Sequence, residues 1–253
     1  MNPTILALEL RRFVRDRASL FFIALLPGFF YLIFGAAQEY ADGTVGNGNV
    51  AMFIMIAMAA YGAVSATVGI GGRAATERLQ GWGRQLGLTP LSDASYVATK
   101  TALAVVVAAV PLAVVYGLGA LTGARASFGA WVISFTVLLV GAVVFALYGL
   151  CFGLRFRSEA ALSAAGGSIV ILGFLGNIFF PLSGTLLAIA KFTPLYGYVA
   201  LARYPVTEGA VLDGSTGDLV QEALWVPVAN VLAWTLILAL VATWLVRRGR
   251  SRG

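Results

Sequence analysis

Hydrophobic positions run in long unbroken blocks along this chain, and the charges gather between them. No formally charged residue occurs from Ala18 to Gln38, Val50 to Gly72, Thr101 to Ala124, Ala126 to Leu154, Ala160 to Ala190 or Ala223 to Val246. A hydrocarbon core of ~30 Å needs about 20 apolar residues in helical conformation. The pattern therefore predicts six membrane helices, at about Leu20–Ala37, Val50–Ile70, Thr101–Leu121, Gly129–Leu154, Ala160–Phe180 and Leu224–Val246. Barrel strands would alternate over ~10 residues, and these runs do not alternate.

Three stretches between or beside the blocks have a character of their own. Arg73 to Lys100, within the loop 71–100, carries Arg73, Glu77, Arg78, Arg84, Asp93 and Lys100. A charge at mid-bilayer costs roughly 2.5 to 3.5 kcal/mol even on lenient scales, so this stretch lies in water or at the membrane surface. Leu79, Trp82 and Leu86 share one helical face, which predicts a short amphipathic helix ended at Thr89-Pro90. Residues 1–17 predict an interfacial helix, with Leu6, Leu10 and Phe13 on one side and Glu9, Arg12 and Asp16 around the other. Cleavage as a signal peptide after Gly35-Ala36-Ala37 fits less well, because the polar lead is long and the apolar run is long enough to span. Residues 181–223 begin too apolar for a solvated loop and end too polar to span. Two short helices dipping into the membrane and broken at Thr193-Pro194 and Tyr204-Pro205 are expected there, with Tyr196, Tyr198 and Tyr204 in the interfacial belt. The acidic end of that segment, Asp213, Asp218 and Glu222, reads as solvated loop rather than cation site.

Glu77, Gly81, Leu86, Thr89, Pro90, Leu91 and Lys100 resemble the pattern of the cytoplasmic loop between the second and third spans of ABC-2-type transporter permeases. The resemblance implies that Glu77, Arg78, Gly81, Trp82, Arg84, Leu86, Thr89 and Pro90 form the coupling helix that docks on a separate ATPase subunit. It also implies a single transmembrane domain over residues 1–253, an N-terminal elbow helix and external re-entrant helices. Many relatives carry an acidic residue soon after the glycine, where this chain has Trp82 and Arg84.

Composition narrows the chemistry. Sixty per cent of the residues are hydrophobic, 11% are charged, and the mean hydropathy is +0.90, far from a soluble domain. Without histidine and with one cysteine, Cys151, the chain has no material for a His/Cys zinc site, a Ser-His-Asp triad or an internal disulfide. It has no GxxxxGK[ST] sequence, so no cofactor is expected in this chain, and ATP and Mg belong on the partner subunit. The N-terminal segment, the Arg73–Lys100 loop, Arg155 with Arg157, and the C-terminal tail hold all but three of the 17 basic residues. Arg125, Lys191 and Arg203 are the exceptions. Positive residues collect on the cytoplasmic side, which predicts a plasma (inner) membrane protein with both termini inside, and the basic charge gives no reason to expect nucleic acid.

No acidic or basic residue falls within a predicted span, which argues against an ion-coupled secondary transporter. The polar positions Tyr116, Tyr148 and Asn177 are candidates for a substrate path, while the GxxxG pairs Gly119/Gly123 and Gly149/Gly153 read as packing. The leading expectation is the permease subunit of an ATP-driven exporter moving a lipophilic drug, lipid or hydrophobic peptide. Its partners would be ABC ATPase subunits, a second permease copy or paralogue, and the bilayer. A non-transporting membrane scaffold is the other alternative.

Overall fold

The computed structural model describes residues 11, 15, 17–79, 93–156, 160–212, 214 and 219–250. Helix α1 (Arg17–Tyr31) continues into a π-helical turn (Leu32–Ala36), and a short hairpin follows, β1 (Thr44–Val45) against β2 (Gly48–Asn49). Then come α2 (Val50–Leu79), α3 (Asp93–Leu121), α4 (Phe128–Arg155) and α5 (Ala160–Leu175). Two short helices, α6 (Gly184–Ala190) and α7 (Pro194–Thr207), meet at 90°. A second hairpin, β3 (Ala210–Leu212) with β4 (Leu219–Gln221), leads into α8 (Trp225–Arg250).

Chain direction alternates through the long helices. Tyr31 at the end of α1 hydrogen-bonds Thr122 just past α3 at 2.9 Å, and Asn49 at the start of α2 donates to Gly123 O at 2.9 Å. One end of the bundle therefore gathers both hairpins and the α3–α4 and α5–α6 turns. Arg73, Arg155 and Arg247 lie toward the opposite, basic end.

Helix α2 is the centre of the molecule. Its Met52, Met55, Ile56, Ala57, Ala59, Ala60, Ala63 and Val64 are buried almost completely, against α1, α3, α4, α5 and α7. Small side chains make this possible, because lipid tails supply no hydrophobic drive and close backbone approach must supply the contact. At the crossing with α4, a Cβ placed on Gly149 would lie 2.7 Å from Val68 Cα, and one on Gly71 would lie 2.6 Å from Ala146 O. Gly62 leaves room for the rings of Pro27 and Pro111, so three helices converge there. Gly119 receives Met55, whereas Gly123 lies beyond the end of α3 at φ +90° in open space, so only the first residue of that GxxxG pair packs a helix.

Several sequence expectations need correction. Helix α2 runs nine residues past Ile70, and α3 begins at Asp93 rather than Thr101. Helical hydrogen bonding does not stop where side chains become polar, so hydropathy does not report these turns. Among the described residues four helices, α2, α3, α4 and α8, are long and apolar enough to cross a bilayer, or five if the bent α6–α7 pair counts as one span. The expected first and fifth spans correspond to shorter apolar helices; α5 ends at Leu175, where a turn at Asn177 (φ +58°) takes over. No break occurs at Tyr204-Pro205. Helix α7 runs through Pro205 to Thr207, since a proline removes one hydrogen bond while Val206 and Thr207 beyond it are buried. The predicted interfacial helix 1–17 lies outside the described residues except at Arg11, Arg15 and Arg17, which have helical backbone.

Candidate functional site

The charged loop singled out in the sequence begins as helix. Glu77 and Arg78 stand in the last turn of α2, whose 30 residues span about 45 Å at 1.5 Å per residue. That exceeds a ~30 Å hydrocarbon core by nearly three turns, so α2 is longer than a single crossing requires. Gly81, Trp82, Arg84, Leu86, Thr89 and Pro90 lie outside the described residues. Helix α3 resumes at Asp93, and its Thr99 and Lys100 are buried on the way back into the bundle. The two helices that flank residues 80–92 in the sequence, α2 and α3, pack on each other in the core.

At the opposite end the polar contacts interlock. Asn49 Oδ1 accepts from Met52 N at 3.1 Å and from Arg125 N at 2.8 Å, capping α2 and fixing the α3–α4 turn together. Arg125 pairs with Asp42, and Asn47 donates from its backbone to Val206 O (2.8 Å) and from its side chain to Glu208 (2.7 Å). Gly46 stands at φ +52°, where a Cβ would lie 3.2 Å from Thr207 Cα. The hairpin before α2 and the end of α7 are thereby one assembly.

Helix α7 is inserted rather than laid on the surface. Leu195, Tyr198, Val199, Ala202 and Val206 are buried, and Tyr198 donates to Leu138 O in the middle of α4 at 2.6 Å while its ring lies over Gly141. Its start is pinned from α8. Asn230 Nδ2 donates to Lys191 O at 2.8 Å and Thr193 O at 3.1 Å, and Trp234 Nε1 donates to Phe192 O at 2.9 Å. Thr193 caps the helix by accepting from Tyr196 N. Glu222 closes the corner: its buried carboxylate lies 2.9 Å from Lys191 Nζ and accepts from the Tyr196 hydroxyl at 3.1 Å.

Arg203 is the most unusual residue of this end. Only 6% exposed, it projects from α7 onto the Phe53 ring of α2, with the guanidinium carbon 3.6 Å from the ring centroid. Its Nη1 donates to Asn177 O at 2.9 Å, and its Nε makes a longer contact of 3.4 Å with Phe53 O. Burying a charge costs several kcal/mol unless hydrogen bonds and a favourable field replace water. Two main-chain carbonyls and the negative face of a ring do that here.

The weak path candidates separate. Tyr116 is buried in the α3–α4 seam, donating to Ser134 Oγ at 2.8 Å and meeting Trp131 and Phe135 edge-on. Tyr148 shares a 2.9 Å hydrogen bond with Ser168 in the α4–α5 seam. Asn177 shapes the α5–α6 turn, accepting from Leu182 N at 2.9 Å, and its main-chain carbonyl accepts from Arg203 of α7. The structure therefore does not bring them together. Tyr196 and Tyr198 are interior residues rather than belt residues, and Glu222 is a buried ion-pair partner rather than part of a solvated loop. Asp213 and Asp218 lie outside the described residues. Arg203 and Glu222 were missed as interior charges. For Arg203 a signal existed: it shares a helical face with Tyr196, Val199 and Val206, and an arginine on an apolar stripe is a buried arginine.

A family model described as ABC-2 family transporter protein matches residues 32–248. No curated protein matches the chain.

Proposed function

The chain belongs to the ABC-2 transporter family, and from that premise we propose that it is the permease subunit of an ATP-driven exporter. It is a multi-pass membrane protein whose kind works with ABC ATPase subunits. In this proposal α1, α2, α3, α4, α5 and α8 are the six spans, the first and fifth being short, and α6–α7 is an external re-entrant pair. The alternating chain direction supports that arrangement. The clustering of basic residues at one end supports a cytoplasmic location for both termini in the plasma membrane. ATP and Mg are held by the partner, and a second permease copy or paralogue completes the path. The substrate class is lipophilic: a drug, a lipid or a hydrophobic peptide, matching the apolar, small-residue interior.

One observation carries the reading. Helix α2 is unbroken from the interlocked hairpin end to Glu77 and Arg78, so a displacement of the 77–90 segment by the ATPase is delivered along the centre of the bundle. The test substitutes Glu77→Ala, Arg84→Ala and Gly81→Leu at matched membrane expression, and measures co-purification with the ATPase and its hydrolysis. An exposed linker tolerates these changes, because surface ion pairs are worth about 0 to 1 kcal/mol. A docking element does not, because truncating a buried interfacial charge pair costs about 2 to 5 kcal/mol. Wild-type assembly and coupling in all three variants would remove the assignment.

A further inference from the structure

We infer that Arg203 is the latch that makes the α6–α7 corner follow α2, so that movement begun at the Glu77 end is read out on the opposite side of the membrane. The inference rests on the ATP-coupled reading above and assigns it a positioning residue. Three observations converge on it. Arg203 joins three elements: α7 that bears it, α2 through the Phe53 ring and carbonyl, and the α5–α6 turn through Asn177 O. A buried cation held by carbonyls and a ring is directional; lateral displacement of α2 away from α7 would leave it unsolvated, so the pair moves together or the contact breaks in one step. The end of α7 is also tied to the strand preceding α2, by Asn47 to Val206 and Glu208. Helix α7 is therefore gripped at the first turn of α2 from two sides, while its own start is held by Asn230 and Trp234 of α8. Motion of α2 relative to α8 must therefore change the angle of the corner between them.

Asn230 and Trp234 hold the hinge at residues 191–193 to α8, and Arg203 is the point at which force enters. Phe53 supplies the face on which the guanidinium rides, so an aromatic ring there is required and its identity is secondary.

Spin-label pairs test this in the permease purified with its ATPase in nanodiscs, on a Cys151→Ala background. One pair, Leu121→Cys with Phe192→Cys, reports the corner, since both positions are highly exposed. The other, Ala98→Cys with Phe156→Cys, reports the basic end, where both are also exposed. Distances are compared without nucleotide and with Mg-ATP. In the parent protein both pairs are expected to shift. In Arg203→Met and in Phe53→Leu the basic-end shift persists and the corner shift is reduced, whereas Phe53→Tyr retains both. An undiminished corner shift in Phe53→Leu, with or without a folded Arg203→Met protein, overturns the latch and leaves the ATP-coupled reading intact. Absence of a nucleotide response at the basic-end pair of the parent protein overturns that reading, and the latch with it.

Discussion

Helices α2 and α8 are similarly apolar and similarly long, yet they occupy opposite environments. Of the apolar stretch of α2, 72% is buried inside the protein; for α8 the figure is 17%. The difference lies in side-chain size. Helix α2 presents Ala57, Ala59, Ala60, Ala63, Ala66, Gly62 and Gly71, which allow neighbours on all sides to approach backbone to backbone. Helix α8 presents Leu232, Leu236, Ile237, Leu240 and Trp244 outward, large side chains that suit acyl chains. Hydropathy reports transfer into the membrane and is blind to this choice, because a lipid tail and a leucine are equally apolar. The central helix of a membrane bundle is thus recognised by its lack of bulk.

The two helices can be set against each other by mutation. The largest effect is expected from Gly149→Val, whose Cβ would meet main-chain atoms at Val68 that have no rotamer with which to yield. Overpacking against backbone should cost about 3 kcal/mol or more. Monodisperse protein after detergent extraction should fall to a small fraction of the parent's. A normal yield and melting point for this variant would mean that α2 and α4 are not in contact, and the contrast with α8 would collapse.

Met55→Ala comes next. Met55 is fully buried and fills the space at Gly119, so removing it should destabilise the bundle by about 2 to 5 kcal/mol. Its thermal midpoint should drop clearly below that of an equally truncating change on α8.

Asn230→Leu removes one of the two side chains by which α8 grips the corner, the other being Trp234. It leaves Lys191 O and Thr193 O without their donor, a loss of about 1 to 3 kcal/mol. Limited proteolysis between α6 and α7 should accelerate in this variant; an unchanged cleavage rate would show that Asn230 does not hold the hinge.

The smallest effect belongs to Leu236→Ala, on the outward face of α8. A change within about 0.5 kcal/mol is expected where only lipid is lost. A thermal shift as large as that of Met55→Ala would sharpen the comparison in another way, by revealing a protein surface, such as a second copy of the chain, against α8.

The candidate site was legible in part, for reasons that differ by residue. The loop 71–100 stood out because its charges cannot enter hydrocarbon, and the helices flanking it run further into that stretch than their apolar runs do. That Glu77 and Arg78 continue α2 was not legible, since an apolar run ends where its side chains become polar and the backbone need not end with it. Pro194 did mark a helix start after the corner, consistent with its fixed φ and missing N–H. Pro205 misled, because the burial of Val206 and Thr207 carries the helix through it despite the lost hydrogen bond.

By itself the sequence determined that the chain lives in a membrane as helices, where those helices fall to within a few turns, and which end carries the positive charge. These follow from the transfer free energy of each residue, which is local. Only the tertiary structure decided that α2 is the core, that α7 is inserted among the long helices, and that Arg203 and Glu222 are interior. The carbonyls and ring that stabilise Arg203 come from Asn177 and Phe53, 26 and 150 positions away. Whether a charge is buried depends on such partners being assembled around it, and chain folding assembles them at distances over which residue-by-residue hydropathy carries no information.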